Sequence, residues 1–183
     1  MLSRSRELGL LARTVTLDDR RAFGEVVQAY SDSLRGFLLS LTQGDVALAD
    51  DLSQDCFIKA YLSLHSLRGL TRFKTWLFRI AYNEFISHKR RQHTHELLSD
   101  KAGASADDIA DDTGDDPPIT ADNLADAIAE LSDAQRAVVR LYYFEDFSVA
   151  RIAGITGMTQ TNVKSHLHRA RQKLAVLLEK YRY

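Results

Sequence analysis

Apolar residues recur at steps of three and four over most of the chain, which is the spacing of amphipathic α-helices. Within residues 18–41 the apolar positions are Phe23, Val26, Val27, Tyr30, Leu34, Phe37, Leu38 and Leu41. This pattern predicts one helix or a pair of helices whose apolar stripe belongs to a core.

A second helix is predicted from residue 46 to about residue 64, with Asp45 as its N-cap candidate. Its buried side is expected to carry Leu48, Leu52, Cys56, Phe57, Ala60, Tyr61 and Leu64. The other side carries Asp51, Gln54, Asp55 and Ile58, whose spacing places them on one helical face. Such a face is either a solvated acidic surface or a docking surface, and the spacing alone leaves both interpretations open.

After a predicted loop at residues 65–71, a third helix is predicted from about residue 72 to residue 91. Its only acid is Glu84, and its basic residues are Arg72, Lys74, Arg79, Lys89, Arg90 and Arg91. Cations on such a helix can neutralise phosphates, while aromatic side chains at its margins can stack on unpaired bases. The alternative is that the basic end is a surface patch and the apolar residues are core. The apolar residues in question are Phe73, Trp76, Leu77, Ile80 and Phe85.

The last third of the chain predicts a helix-turn-helix. Helices are predicted at residues 121–130 and 133–144, the second opened by a Ser132 and Gln135 capping box. Residues 148–159 then indicate a short helix, a turn in which Gly157 takes a positive φ, and a Thr159 cap. The last helix is predicted to run to about residue 178.

The outward positions of this last helix are polar or basic, and residues 160–173 contain no acid. The outward residues are Gln160, Thr161, Asn162, Lys164, Ser165, His168, Arg169 and Arg171. A helix-turn-helix can be purely structural or can dock a protein, but these donors suit base edges and phosphates in a major groove. DNA contact is therefore the favoured interpretation.

Charge divides the 183 residues into three parts, although the net charge is only -1. Residues 1–92 carry a net charge of +4, residues 93–133 carry -11, and residues 134–183 carry +6. Residues 101–120 are rich in Ala, Gly, Ser and Asp and have no sustained apolar stripe, so a flexible linker is predicted at residues 93–120. Two basic units that flank an acidic connector suggest a polyanionic partner, while the connector is either solvated or occupies a basic surface.

Several classes of function are disfavoured. The single cysteine, Cys56, cannot form an internal disulfide, and no apolar run is long enough to cross a membrane, so a soluble intracellular protein is expected. The acids of residues 107–116 lie in a low-complexity tract, and His93 and His95 have no matching set of metal ligands. We therefore expect neither catalysis nor a metal or other cofactor.

Three segments in order resemble the extracytoplasmic-function group of bacterial sigma factors. Residues 51–61 are similar to that family's polymerase-binding helix, residues 73–83 with 89–91 to its promoter-melting helix, and residues 162–174 to its promoter-reading helix. The resemblance implies an all-α protein in which two small helical domains are joined by an acidic flexible linker. The implied boundaries are an N-terminal extension at 1–16, a sigma region 2-like domain at 17–92, the linker at 93–120, and a sigma region 4-like helix-turn-helix domain at 121–183.

The resemblance also implies a role for each candidate residue. The residues implied to bind core RNA polymerase are Asp51, Gln54, Asp55 and Ile58. The loop at 65–71 and Asn83 would cradle a base flipped from the -10 element, and nearby backbone would be held by Lys74, Arg79, Lys89, Arg90 and Arg91. Trp76 is expected to be mainly core. The -35 element would be read by Lys164, Ser165, His168 and Arg169, with Thr161, Asn162 and Arg171 nearer the phosphates.

The implied function is promoter-specific transcription initiation without chemistry by the chain itself. The implied partners are core RNA polymerase, through its beta and beta-prime subunits, promoter DNA and an anti-sigma factor. The free chain is expected to be a cytoplasmic monomer without membrane insertion. The competing hypothesis is a stand-alone helix-turn-helix regulator that binds duplex DNA as a dimer.

The chain departs from the family pattern at a few positions. His166 stands where members often have Arg, and Ala150 and Arg151 stand where they often have acids. Residues 1–16 are basic and unmatched, which leaves an extension, a disordered arm or a mis-assigned start as interpretations.

Overall fold

The structure, a computed structural model, describes residues 2–67, 73–98 and 121–179. These residues form eight α-helices and no β-strand, so the all-α prediction is confirmed. The helices are α1 (Arg4–Leu17), α2 (Arg20–Leu41), α3 (Val46–Ser63), α4 (Phe73–Leu98), α5 (Ala121–Ala129), α6 (Asp133–Val139), α7 (Val149–Thr156) and α8 (Gln160–Glu179). A short 3-10 turn (Leu64–Ser66) follows α3, and one π-helical turn (Arg140–Phe144) follows α6. None of the helices in the described ranges is long and apolar enough to cross a bilayer.

Side-chain caps set the starts of α2 and α3. Asp19 accepts a hydrogen bond from the backbone N–H of Ala22 at 3.1 Å, and Asp45 accepts one from Leu48 at 3.0 Å. The Asp45 cap confirms the start that the sequence predicted for α3. The apolar stripe between residues 18 and 41 forms a single helix, α2, rather than a pair.

Residues 4–17 form a helix that packs on α2, which makes the interpretation of residues 1–16 as a disordered arm wrong. Leu10 and Leu11 are buried in the core. Polar contacts add to this packing, because Tyr30 of α2 donates to Glu7 at 2.8 Å and Arg6 pairs with Glu25 at 2.7 Å. The unmatched start of the chain is thus part of the folded body.

Helix α4 is longer than predicted. It begins at Phe73 and continues to Leu98, so residues 93–98, which the sequence analysis assigned to the linker, are helical. The physical reason is the absence of any Gly or Pro between Gly69 and Gly103, which leaves nothing to break the helix. The remaining predicted linker, residues 99–120, lies outside the described residues.

The C-terminal helices follow the predicted order, with one difference in geometry. The Ser132 and Gln135 capping box opens α6 as predicted, and Gly157 takes φ 74° in the turn between α7 and α8. The helix predicted at residues 133–144 is α-helical only to Val139, because residues 140–144 form the π turn. Within this wider turn the Leu141 carbonyl accepts a hydrogen bond from the backbone N–H of Phe147 at 3.0 Å.

The N-terminal helices (α1–α4) and the C-terminal helices (α5–α8) share one hydrophobic core. Helix α4 packs on α7, and α2 packs on α5 and α6. At the centre of this contact the rings of Phe78 and Phe147 meet edge to face, with centroids 5.4 Å apart, and Phe37 packs on Phe78 at 5.3 Å. Surfaces on opposite halves of the sequence are therefore buried against each other.

We expect Leu11→Ala to lower the free energy of unfolding by about 2–5 kcal/mol, because Leu11 is 0% exposed and its truncation leaves a cavity. Leu17→Ala on the same helix is the matched control, since Leu17 is 71% exposed and should change stability by less than about 0.5 kcal/mol. Urea denaturation measures both changes. Equal stability of the two variants would show that α1 does not pack on the body.

Candidate nucleic-acid interface

Helix α3 presents an exposed face opposite its buried one. Asp51, Gln54, Asp55 and Ile58 are all exposed, as the spacing predicted. The opposite side carries Cys56, which is free, and burial raises the pKa of its thiol to about 12. The acidic face is thus exposed on a helix whose opposite side is packed in the core.

The same face of α3 includes a residue that the sequence analysis missed. Leu62 lies one turn beyond Ile58 and is 66% exposed, while Ile58 is 49% exposed. Both are large apolar side chains with little cover, next to a row of acids. The signal was available in the sequence, because Leu62 continues the spacing of residues 51, 54, 55 and 58.

The residues of α4 predicted to bind the -10 element separate into two groups. Arg79, Asn83 and Arg90 are exposed and lie along one side of the helix, within roughly 40° of each other. Arg91 is exposed beyond them. Lys74 and Lys89 point to a different side, where the C-terminal helices pack. The sequence did not distinguish these groups because it gives no information on which side of α4 the other half of the chain covers.

Asn83 lines a cavity of about 410 Å³ between α3 and α4. The other lining residues are Lys59, Leu62, Ser63, Ile80 and Glu84. Lys59 and Glu84 form an ion pair across this cavity. Of the loop predicted to cradle a base, residues 65 and 66 belong to the 3-10 turn after α3 and residue 67 follows it, while residues 68–71 lie outside the described residues.

Most aromatic residues of α4 belong to the core, as the structural alternative predicted. Phe73, Phe78, Tyr82 and Phe85 are all buried. Trp76 is half-buried and packs on Phe73 with ring centroids 5.9 Å apart. Among these side chains, Trp76 keeps the larger surface toward solvent.

Helix α8 exposes the predicted polar face and buries the opposite stripe. The backbone N–H of Asn162 donates to the Thr159 hydroxyl at 3.2 Å, which confirms the predicted cap. Val163, Leu167 and Ala170 are buried. The exposed predicted residues are Thr161, Asn162, Lys164, His168, Arg169 and Arg171, while Ser165 is half-buried. Arg171 also donates a hydrogen bond to the Tyr143 hydroxyl at 2.6 Å, which the sequence did not indicate.

Two acids of the C-terminal helices, Asp133 and Glu145, contact lysines of α4. Glu145 lies 3.0 Å from the Lys74 Nζ, and Asp133 lies 2.6 Å from the Lys89 Nζ. Asp133 also accepts from Arg136 at 2.6 Å. Although burial raises the pKa of Asp133, the hydrogen bonds from Lys89 and Arg136 outweigh it and hold that pKa below its ordinary value. These acids were not predicted as site residues.

Because the pKa of Asp133 is lower in the folded chain, its charged form stabilises the fold. This contribution is complete above the ordinary pKa of 3.8 and is lost as the pH falls through the folded value. We expect the stability difference between the wild type and Asp133→Asn to be largest near neutral pH and to shrink below about pH 4. Denaturation at several pH values measures it, and a difference that grows in acid would contradict the assignment.

Comparison with known proteins gives matches over both halves of the chain. The family Sigma-70 region 2 matches residues 26–94, and Sigma-70, region 4 matches residues 121–174. The ECF RNA polymerase sigma factor SigM of Bacillus subtilis (strain 168) is 33% identical over 153 residues, covering 84% of this chain and 93% of that protein. The RNA polymerase sigma-H factor of Pseudomonas aeruginosa is 29% identical over 189 residues, covering 98% of this chain and 97% of that protein.

Solved structures give the same result for the fold. The sigma factor RpoE, solved in complex with the anti-sigma factor NepR from Bartonella quintana, superposes with a TM-score of 0.72 and is 30% identical. The match covers 86% of this chain and 96% of that one. CnrH, in complex with the cytosolic domain of CnrY, matches with a TM-score of 0.67 at 24% identity over 95% of this chain and 97% of that one, which supports the fold alone.

Proposed function

The chain belongs to the extracytoplasmic-function sigma factors, which direct promoter-specific transcription initiation by RNA polymerase, and we propose that its three contacts lie on α3, α4 and α8. The observation that carries this proposal is that each of these helices is anchored by a buried stripe and exposes the residues that the sequence assigned to contact, except the partly buried Lys74 and Ser165. The N-terminal unit that goes with it is longer than the predicted 17–92 at both ends, because it includes α1 and extends to the end of α4 at Leu98, and the C-terminal unit begins at residue 121 as predicted.

Core RNA polymerase docks on α3 in this proposal. Asp51, Gln54 and Asp55 supply charged and polar contacts, and Ile58 with Leu62 supplies exposed apolar surface. An apolar centre beside polar residues is the composition of a protein interface, because removal of the apolar groups from water adds affinity and the acids add specificity. The contacts on the polymerase side come from its beta and beta-prime subunits.

The -10 element is opened and held along α4. Arg79, Arg90 and Arg91 contact the backbone, and Asn83 faces the cavity of about 410 Å³ that would receive a flipped base. Extruding a base costs a few kcal/mol, which hydrogen bonds and stacking in a pocket offset. Lys74 and Lys89 belong to the same proposed set of backbone contacts, once they are free of their carboxylate partners.

The -35 element is read by α8, whose first turns would enter the major groove. Lys164, His168 and Arg169 are exposed donors for base edges, with Ser165 beside them. Thr161, Asn162 and Arg171 contact phosphates. Tyr143, which accepts from Arg171, holds that guanidinium in place next to the groove.

We propose a cytoplasmic chain that is a monomer when free and performs no chemistry itself, because promoter opening by a sigma factor uses binding energy rather than a covalent step. An anti-sigma partner is part of this proposal, and the support is that the related RpoE was solved in complex with one. A stand-alone helix-turn-helix regulator would not account for the region 2 match at residues 26–94.

The direct test combines the purified chain with core RNA polymerase from its own organism. We expect start-site-selective RNA synthesis from the wild type, and a tenfold or greater loss of core binding for Ile58→Glu, since a buried interface centre contributes more than about 1 kcal/mol per residue. Val46→Glu is the matched control, because Val46 is also exposed on α3 but lies roughly 120° around the helix from Ile58 and roughly 18 Å away along its axis. A wild type that never binds core, or two variants that behave alike, would overturn the docking proposal.

We expect Lys164→Ala to weaken promoter binding by the holoenzyme by about 1–3 kcal/mol and to relax the preference for the -35 sequence. Val176→Ala is the control, because Val176 is exposed on the same helix but lies roughly 18 Å farther along its axis. Binding to promoter fragments with altered -35 elements measures both effects. If Val176→Ala has the larger effect, the first turns of α8 do not read the DNA.

A further inference from the structure

Glu145 is a carboxylate of the C-terminal helices that is buried among residues of the N-terminal ones. Its side chain is 5% exposed, and its Oε2 lies 3.0 Å from the Lys74 Nζ. The hydroxyl of Ser33 donates to the same oxygen. Lys74 also donates to the backbone carbonyl of Glu145 at 3.0 Å. Glu145 therefore supplies both oxygen partners of the Lys74 ammonium group.

The remaining surroundings of Lys74 are aromatic. Its Nζ lies 5.0 Å from the ring centroid of Phe147 and 5.7 Å from that of Phe78. The Lys74 side chain is only 18% exposed. This ammonium already has a carboxylate and a carbonyl partner and is covered by two rings, so a DNA phosphate would have to compete with Glu145 for it.

A second carboxylate engages α4 nearer its other end. Asp133 lies 2.6 Å from the Lys89 Nζ. Arg136 donates to Asp133 at 2.6 Å and to the Ala129 carbonyl at 2.8 Å, and the Arg136 side chain is buried. Arg136 therefore fixes the carboxylate in the position where it meets Lys89.

The two contacts lie on one side of α4. Lys74 and Lys89 are separated by roughly 22 Å along the helix axis and by roughly 60° around it. Arg79, Asn83 and Arg90 lie on another side and stay exposed. The C-terminal helices thus cover Lys74, pair with Lys89 although its side chain is 50% exposed, and leave the rest of the proposed -10 surface open.

We propose that Glu145 and Asp133 take the places of two promoter phosphates on Lys74 and Lys89, so that the free chain excludes DNA from this side of α4. A carboxylate and a phosphate are both anionic acceptors of charge-assisted hydrogen bonds from an ammonium group, so they compete for the same lysines. The inference rests on the proposed function of α4 as the -10 helix.

Because Glu145 is buried between the two halves of the chain, a phosphate can replace it at Lys74 only after the halves separate. Separating the two halves leaves the lysine and the carboxylate without each other, which is unfavourable unless both gain new partners. Water hydrates Glu145 after separation, and a DNA phosphate would replace it at Lys74. Only molecules in the open form can bind DNA at these lysines. The apparent DNA affinity of the free chain is therefore the affinity of the open form multiplied by the fraction of molecules that are open.

The test uses the full chain without polymerase and a labelled single-stranded DNA of mixed sequence at fixed salt. We expect Asp133→Asn with Glu145→Gln to bind it roughly tenfold more tightly, because the closed form loses both ion pairs. The matched control is Glu130→Gln with Asp146→Asn, which removes the same two charges from exposed neighbouring positions. Equal affinities of the two double variants would overturn the proposal, since charge alone would then explain any gain.

A second measurement does not depend on DNA. Acetylation rates followed by mass spectrometry should show Lys74 reacting at least about tenfold more slowly than the exposed Lys164 in the wild type, and at a similar rate in the Asp133 and Glu145 variant. Equal rates in the wild type would refute the closed contact. If these results fail while the chain still directs transcription with core polymerase, only this inference is lost; if transcription fails and Lys74 is protected, the proposed function is lost instead.

Discussion

A lysine ammonium group that is largely removed from water needs a counter-charge within contact distance, and Lys74 has it on Glu145. The two residues belong to opposite halves of the chain, so this requirement acts on the contact between the halves together with their shared apolar core. The edge-to-face contact of Phe78 with Phe147 and the hydrogen bond from Ser33 surround the pair. The ion pair adds a directional contact to the apolar packing of α4 on α7, since a carboxylate buried among these rings needs its cation.

The surfaces proposed for function follow from what this contact covers and what it leaves open. Helix α8 and the outer face of α3 remain exposed, as do Arg79 and Asn83 on α4. Lys74 and Lys89 do not remain free, although they are part of the same helix. In such a sigma factor the docking surface on α3 is exposed in the free chain, whereas part of the DNA surface on α4 is occupied. This order suits a subunit that acts on promoters only when bound to polymerase.

The sequence predicted well whatever depends on neighbours within a turn or two. The Asp45 and Thr159 caps, the Ser132 capping box and the positive φ of Gly157 are local, and the structure has all of them. The exposed face of α3 followed from helical spacing for the same reason.

The sequence predicted poorly whatever depends on packing between distant segments. The burial of Glu145, the pairing of Asp133 with Lys89 and the packing of α1 on α2 each require knowledge of a distant partner. The π turn at residues 140–144 was missed because an extra residue per turn leaves no clear mark in a short apolar pattern. Residues 93–98 were included in the linker that the composition of residues 101–120 predicts, although nothing in them breaks a helix.

The central claim is that the two halves are held together in the free chain and separate on the polymerase. Spin labels at Gln28→Cys on α2 and Arg151→Cys on α7 would report their distance, because both sites are exposed and the buried Cys56, with its raised pKa, should react slowly. We predict one short, narrow distance distribution for the free chain and a shift to longer distances when core polymerase is added. A broad, long distribution in the free chain that polymerase leaves unchanged would contradict the account.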